Sequence, residues 1–344
     1  MATEMNAYER VMATFSGKKP DRVPILPVVR EWCCKQAGIQ FPHTMENVEK
    51  HVFSQYYCAR KFGYDVVWGL IGASEESEAM GSVVKYGDDY LPTVKDYAVK
   101  DYGKDLPRLR IPDPYQDGRL PLILEGIRRL KELCKDEVPV MGSVQGPFRH
   151  AAMLRGSDSL MRDLFKNRES ARRLMEIATD SLIVWGVAVV QAGADIVWIP
   201  DPVASGDVVS PRTYKEWVLP FVQRLVDAIK KTGVRIIMHV CGDTSDRLEM
   251  LASSGADGLS LDAKVDFGFA RRALGPSYLL MGNVEPTRLL TVGTPKDVYD
   301  YSKNLIDQAG SGGHFFLSSG CIVSSEAPVE NMEAMFRAGQ EAVY

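Results

Sequence analysis

One imidazole and two thiols lie in two short segments, Met238-His239-Val240-Cys241-Gly242 and Ser319-Gly320-Cys321, with the two cysteines 80 positions apart. Both segments close apolar runs that read as β-strands. Structural zinc sites usually take four closely spaced protein ligands, whereas a His/Cys/Cys set gathered from distant strands leaves a fourth position for water or a substrate heteroatom. That is the ligand pattern of a catalytic zinc. His239 and Cys241, at i and i+2, share one face of their strand. The residues alone leave a second reading open, a hydrogen-bonded core histidine beside two small buried thiols, because free cysteine is among the most buried side chains.

The elements that must position these groups are eight strand-like runs, at 23–29, 65–68, 138–144, 195–199, 235–240, 258–262, 278–284 and 314–318. Helix-length amphipathic segments separate them. Continuous apolar runs suit strands buried on both faces of a parallel sheet. The stretches Gln191-Ala192-Gly193-Ala194-Asp195 and Ser253-Ser254-Gly255-Ala256-Asp257 each end a helix with glycine and step into a strand. Together these features predict an α/β fold, a (β/α)8 TIM barrel spanning 1–344 as one domain. Residues 1–22 read as an N-terminal helical extension, 23–344 as the barrel, with an insertion between the second and third strands. A doubly wound open sheet is the alternative, but no glycine-rich phosphate loop follows any run. Barrel enzymes carry catalytic groups at the C-terminal ends of their strands; here the fifth run places His239 and Cys241, and the eighth places Cys321.

Composition narrows the partners. A net charge of −4, a pI near 5.8 and the lack of clustered Lys and Arg argue against a nucleic-acid surface. The N-terminal segment shows no apolar signal core, and no uninterrupted apolar run approaches the roughly 20 residues of a membrane span, so a cytoplasmic location is expected. Six cysteines at irregular spacing do not make a disulfide framework, and a reducing compartment suits free thiolate ligands.

The segments His239-Val240-Cys241-Gly242, Pro200-Asp201-Pro202-Val203-Ala204-Ser205 and Met281-Gly282-Asn283-Val284-Glu285-Pro286, with Gly320-Cys321 through Pro328-Val329-Glu330-Asn331, resemble the uroporphyrinogen decarboxylase superfamily. They are most similar to its zinc-dependent corrinoid methyltransferase branch, the methylcobamide:coenzyme M methyltransferases and the methyltransferase components of O-demethylases. The resemblance implies a TIM barrel with zinc held by His239, Cys241 and Cys321. It also implies a corrinoid carried by a separate protein that docks over the barrel mouth, and it leaves a homodimer open. The decarboxylase branch carries an Arg-Gln-Ala-Gly-Arg signature after the first strand. This chain has Arg30 and then Gln36-Ala37-Gly38, without the second arginine, so a polycarboxylate substrate lacks a paired guanidinium anchor.

Zinc chemistry then has two directions. Zinc lowers the pKa of a coordinated thiol, or acts as a Lewis acid on an ether oxygen, and either role moves a methyl group to or from cobalt. Trp32, Trp68 and Trp198, in or just after strand runs, offer aromatic walls, and Arg30 could meet a ring carboxylate; these residues favour an aromatic methyl ether as donor. The alternative is a thiol acceptor of the coenzyme M type, which requires a cationic pocket. A decarboxylase-like enzyme and a non-catalytic metabolite-binding barrel are the remaining readings. Glu78 or Asp262 is the expected fourth zinc ligand at rest. Asp201 and Asp207 are placed as loop caps or substrate contacts, Asn283 and Glu285 as orienting groups, and His150 as a helix-start residue.

Overall fold

The computed structural model describes residues 4–41, 47–69, 74–86, 92–309 and 312–343. Seven of the eight runs form one parallel sheet. Its strands are β1 (Val67–Trp68), β4 (Val140–Ser143), β5 (Ile196–Pro200), β6 (Arg235–Val240), β7 (Gly258–Leu261), β8 (Leu279–Val284) and β9 (Phe315–Ser319), paired in that order. Every residue of β5, β7, β8 and β9 is buried, as the absence of polar alternation in these runs requires. β2 (Val83–Lys85) and β3 (Thr93–Asp96) make a separate antiparallel pair inside the expected insertion, between β1 and β4.

The eighth stave is the run 23–29, seated between β9 and β1. Leu26 N–H donates to Leu317 O at 2.8 Å, and Leu317 N–H donates to Pro24 O at 2.9 Å. On the other side Asp65 N–H donates to Ile25 O at 2.8 Å. Pro24 and Pro27 have no N–H, so this stave bridges its neighbours at Ile25↔Leu317 instead of forming a ladder. The sheet is thereby closed into a barrel.

The helix Ala7–Phe15 begins with a capping box in which Asn6 and Glu9 satisfy each other's backbone N–H. It lies across the strands' N-terminal ends: Tyr8 N–H donates to Glu137 O at 2.9 Å, and Phe15 packs edge-on against Phe316 with centroids 5.1 Å apart. The helix Arg168–Gln191 is long and apolar enough to cross a membrane by length and composition, although its sequence has no uninterrupted apolar run. Leu174, Leu182, Trp185 and Val189 are among the side chains it buries within the protein, the behaviour of a core helix.

His51, in the helix Val48–Phe62, ties that helix to β1 through Nε2 and the carbonyl of Trp68, 2.9 Å apart. Burial pushes its imidazole down to about 4. The unfolded chain therefore binds the proton first, near pH 6.5. The stabilisation is complete above about pH 6.5 and is lost as pH falls toward 4, at about 1.4 kcal/mol per pH unit. Urea unfolding between pH 7 and pH 5 should show an acid limb shallower by about that slope in His51→Gln; equal slopes would refute the assignment.

Candidate metal centre

β6 ends on His239 and Val240, and Cys241 is the first residue beyond it; Cys321 lies two residues beyond β9. The barrel's curvature brings these ends together across the mouth although two strands lie between them. Cys241 Sγ lies 3.3 Å from His239 Nε2 and 3.9 Å from Cys321 Sγ. One ligand atom from each residue falls within 4.8 Å of the others.

The imidazole orientation is fixed from behind. His239 and Ser260 are register partners on β6 and β7, and Nδ1 lies 3.1 Å from the Ser260 carbonyl and 3.2 Å from its hydroxyl. A carbonyl only accepts, so Nδ1 carries the proton and Nε2 presents its lone pair to the thiols. This second-sphere bond is the one a metal-ligating histidine needs. The Trp198 ring stacks on the imidazole at 5.2 Å and 27°. After Cys241 the chain turns through Gly242 at φ +80°, where a Cβ would stand 2.4 Å from Ser205 Oγ.

The thiols do not titrate alike. The hydrogen bond from Cys241 pulls the Cys321 thiol well down, and the same contact pushes Cys241 up, so the first negative charge resides on Cys321. Burial alone would lower the His239 imidazole, but the hydrogen bond and charge of Cys321 outweigh it and leave it raised. Two soft sulfur donors and one fixed imidazole lone pair, partly open to solvent, fit zinc with one position left for a substrate atom.

Neither proposed fourth ligand joins the three. Asp262 accepts from Gly242 N–H and Lys264 N–H, both at 2.9 Å, and so braces the loop that carries Cys241. Glu78 accepts from the Tyr86 hydroxyl at 2.6 Å and lies 3.7 Å from Arg119 Nε. Among the described residues no other His, Cys, Asp or Glu completes the cluster.

The remaining predicted residues divide between the mouth and the frame. Trp198 is at the cluster, with the Trp68 ring edge-on to it at 5.3 Å; Trp68 Nε1–H donates to Pro27 O at 2.8 Å. Trp32 is not there: it packs among Phe62 and Phe336 in the helical layer and donates from Nε1 to Ala327 O at 3.0 Å. Arg30 is buried, bonded to Glu31 at 2.5 Å and stacked 5.0 Å over Phe41. Asp201, fully buried after β5, accepts from Phe148 N–H and Arg149 N–H at 3.2 and 3.1 Å; burial pushes its carboxyl up to about 7. Asn283 donates to the carbonyls of Asp262 and Val265, leaving its own buried Oδ1 unpartnered. Glu285 caps the N–H groups of Arg288 and Leu289, and Asp207 pairs with Lys264 at 2.7 Å, so both brace loops. His150 sits 3.1 Å from Met80 sulfur, and burial pushes it down to about 3, which removes it as a base near neutrality.

Sequence reasoning missed Glu75, Glu76 and Arg149. Glu76 accepts from Gln145 Nε2 at 2.6 Å, and burial pushes its carboxyl up to about 7, with Glu75 adding to the effect. Arg149 feels, in decreasing order, the charges of Glu76, Asp201, Cys241 and Glu75. Their signal was positional, since both short segments follow the C-terminal ends of barrel strands.

The family model for uroporphyrinogen decarboxylase (URO-D) matches residues 6–342. The chain is 30% identical over 346 residues to methylcobamide:CoM methyltransferase MtbA of Methanosarcina acetivorans, covering 99% of this chain and all of that one. It is also 30% identical over 345 residues to uroporphyrinogen decarboxylase of Geobacter metallireducens, covering 94% and 97%. A solved methyltransferase from Methanosarcina mazei superposes with a TM-score of 0.89 at 26% identity, over 98% and 99% of the two chains. Over nearly its whole length the chain belongs to the uroporphyrinogen decarboxylase family, and it is an enzyme of the methyltransferase class.

Proposed function

We propose that the protein transfers a methyl group between the cobalt of a corrinoid, carried by a separate protein, and the sulfur of a small thiol. The observation that carries this reading is the convergence of His239, Cys241 and Cys321, with Asp262 engaged by the Gly242 and Lys264 N–H groups and Glu78 by Tyr86. Zinc held by the three residues would supply a lowered pKa to a thiol bound in the fourth position. The chain's own part is to hold the His239 tautomer through Ser260, to concentrate the first negative charge on Cys321, and to keep the cluster at a mouth that a carrier protein can reach.

The aromatic methyl ether favoured by the tryptophans loses its support. Trp32 belongs to the helical layer, while Trp198 stacks on the His239 imidazole and Trp68 stands edge-on behind Trp198. A relative named methylated-thiol–coenzyme M methyltransferase, from Methanosarcina mazei, is 31% identical over 67% of this chain and 61% of its own, and supports sulfur as the methyl-bearing atom.

Purified zinc-loaded protein should demethylate methylcob(III)alamin in the presence of 2-mercaptoethanol or 2-mercaptoethanesulfonate, with the S-methyl product identified by mass spectrometry. Demethylation of a methoxyarene by Co(I) corrinoid, with no thiol accepted, would replace this reading by the ether one.

A further inference from the structure

The two strands between β6 and β9 supply no ligand, yet the chain at their ends touches both cysteine loops. After β7 comes the turn 262–265, closed by Val265 N–H donating to Asp262 O at 3.0 Å. Asn283 on β8 fastens this turn from the other side, its Nδ2 donating to Asp262 O at 2.9 Å and to Val265 O at 2.8 Å. One edge of the turn holds the loop of Cys241: Asp262 Oδ2 accepts from Gly242 N–H and Asp262 Oδ1 from Lys264 N–H, both at 2.9 Å. The opposite edge packs on the loop of Cys321. A Cβ on Gly320 would stand 2.6 Å from Ala263 N and 3.1 Å from Ala263 Cα, so only glycine permits this approach of the two backbones. Gly320 N–H also donates to Val284 O, the last residue of β8, at 2.7 Å.

The spacing held between these edges is that of two ligands on one metal. Zinc–sulfur bonds of about 2.3 Å at a tetrahedral angle put two thiolates about 3.8 Å apart. Cys241 Sγ and Cys321 Sγ stand 3.9 Å apart. A disulfide would need about 2.05 Å between them, so the loops would have to move together. The turn has one further tie, Lys264 Nζ to Asp207 Oδ2 at 2.7 Å, but both side chains are exposed and such a pair contributes little.

We propose that the turn 262–265 is a clamp that sets Cys241 and Cys321 at the spacing a metal requires before the metal binds, with Asp262 and Gly320 as its positioning residues. The use of that spacing rests on the zinc reading of the cluster; the spacing itself does not. Asp262 acts through Gly242, and both of its oxygens are occupied by N–H donors. Asparagine could accept from only one of the two and would turn its own NH2 toward the other. Gly320→Ala disturbs the clamp from the opposite side, by inserting a methyl group against Ala263 without changing any charge.

Two measurements on folded protein, checked by circular dichroism, test the clamp. In competition with a chromophoric chelator, Asp262→Asn and Gly320→Ala should each bind zinc about 10- to 100-fold more weakly than the unmodified protein, the usual cost of losing an outer-sphere partner. Asp207→Ala, which removes only the exposed pair, should stay within about threefold. With Co(II) in place of zinc, both clamp variants should show an altered thiolate-to-cobalt absorption band. The second measurement needs no metal. Phenylarsine oxide bridges two closely spaced thiols through one arsenic, and its oxygen leaves as water with both thiol protons. Metal-free unmodified protein should be captured stoichiometrically, with Cys241 and Cys321 identified as the bridged pair by tandem mass spectrometry, and both clamp variants should be captured at least 10-fold more weakly. Zinc affinity and arsenical capture unchanged in Asp262→Asn and Gly320→Ala would overturn the proposal, as would failure of the unmodified protein to be captured. Arsenical capture that follows the clamp in a protein that binds no zinc would keep the clamp and remove the zinc reading.

Discussion

Cys321→Ser is expected to strip the protein of the proposed zinc and to lower methyl transfer to a thiol by at least about 10³-fold. The magnitude follows from the chemistry that is lost. Lewis-acid activation is worth several kcal/mol, and each 1.36 kcal/mol is a factor of ten in rate. Serine matches cysteine in shape, but its hydroxyl keeps its proton near neutrality, and the two remaining ligands cannot close the site. Cys241→Ser and His239→Ala should follow the same course. Cys134→Ser is the control: that thiol is buried in the helix Leu120–Cys134, outside the cluster, and its loss should leave the metal in place. Zinc measured after desalting, beside the circular dichroism of each variant, separates lost metal from lost fold. Full turnover by metal-free Cys321→Ser would end the metal assignment.

The barrel was legible in the sequence wherever burial on both sides forces an unbroken apolar run. β5 through β9 were found for that reason, and their ends placed His239, Cys241 and Cys321 at one mouth. The first stave was legible as an apolar run but not in its pairing, because Pro24 and Pro27 leave only a few donors to bridge its neighbours. The ligand set could be read because its chemistry is carried by residue type. The loops were less readable. Glu75-Glu76-Ser77-Glu78 gives three carboxylates within a helix of five residues, too short for any apolar stripe to show which face turns inward. The inward pair is Glu75 and Glu76, whereas Glu78 reaches outward to Tyr86 and Arg119. Trp32 failed as a wall residue for a related reason: a tryptophan just after a strand run can open the following helix and pack in the outer layer, and only tertiary contacts tell the two apart. Arg149 was hidden because one arginine at a helix start carries no signal until Asp201 and Glu76 are seen around it.

Asp65→Ala should cost about 3–5 kcal/mol of folding stability, the penalty for leaving buried charges without their partner. Asp65 is 1% exposed and receives Arg10 Nη1 at 2.8 Å, Arg22 Nη1 and Nη2 at 2.7 and 2.9 Å, and Ile25 N–H at 2.8 Å. One carboxylate thus joins the N-terminal helix, the first stave and the start of β1. Arg10 has a second partner in Asp21 at 2.7 Å, so Arg22 loses more by the substitution. With typical stabilities of 5–15 kcal/mol, the loss is a large share of the total. Urea unfolding should therefore show a much lower midpoint with the slope retained, and a loss below 1 kcal/mol would refute the account. The location makes the result informative about the metal site. Asp65 lies where the barrel closes at the strands' N-terminal ends, and the ligands lie at the other end. At low denaturant the folded fraction of Asp65→Ala should still hold its metal, whereas Cys321→Ser should lose metal and keep the stability of its metal-free parent. Metal loss from folded Asp65→Ala would mean that the first stave, through Leu26, Leu317 and the Ser318 hydroxyl bonded to Leu26 O at 2.6 Å, also sets the position of Cys321.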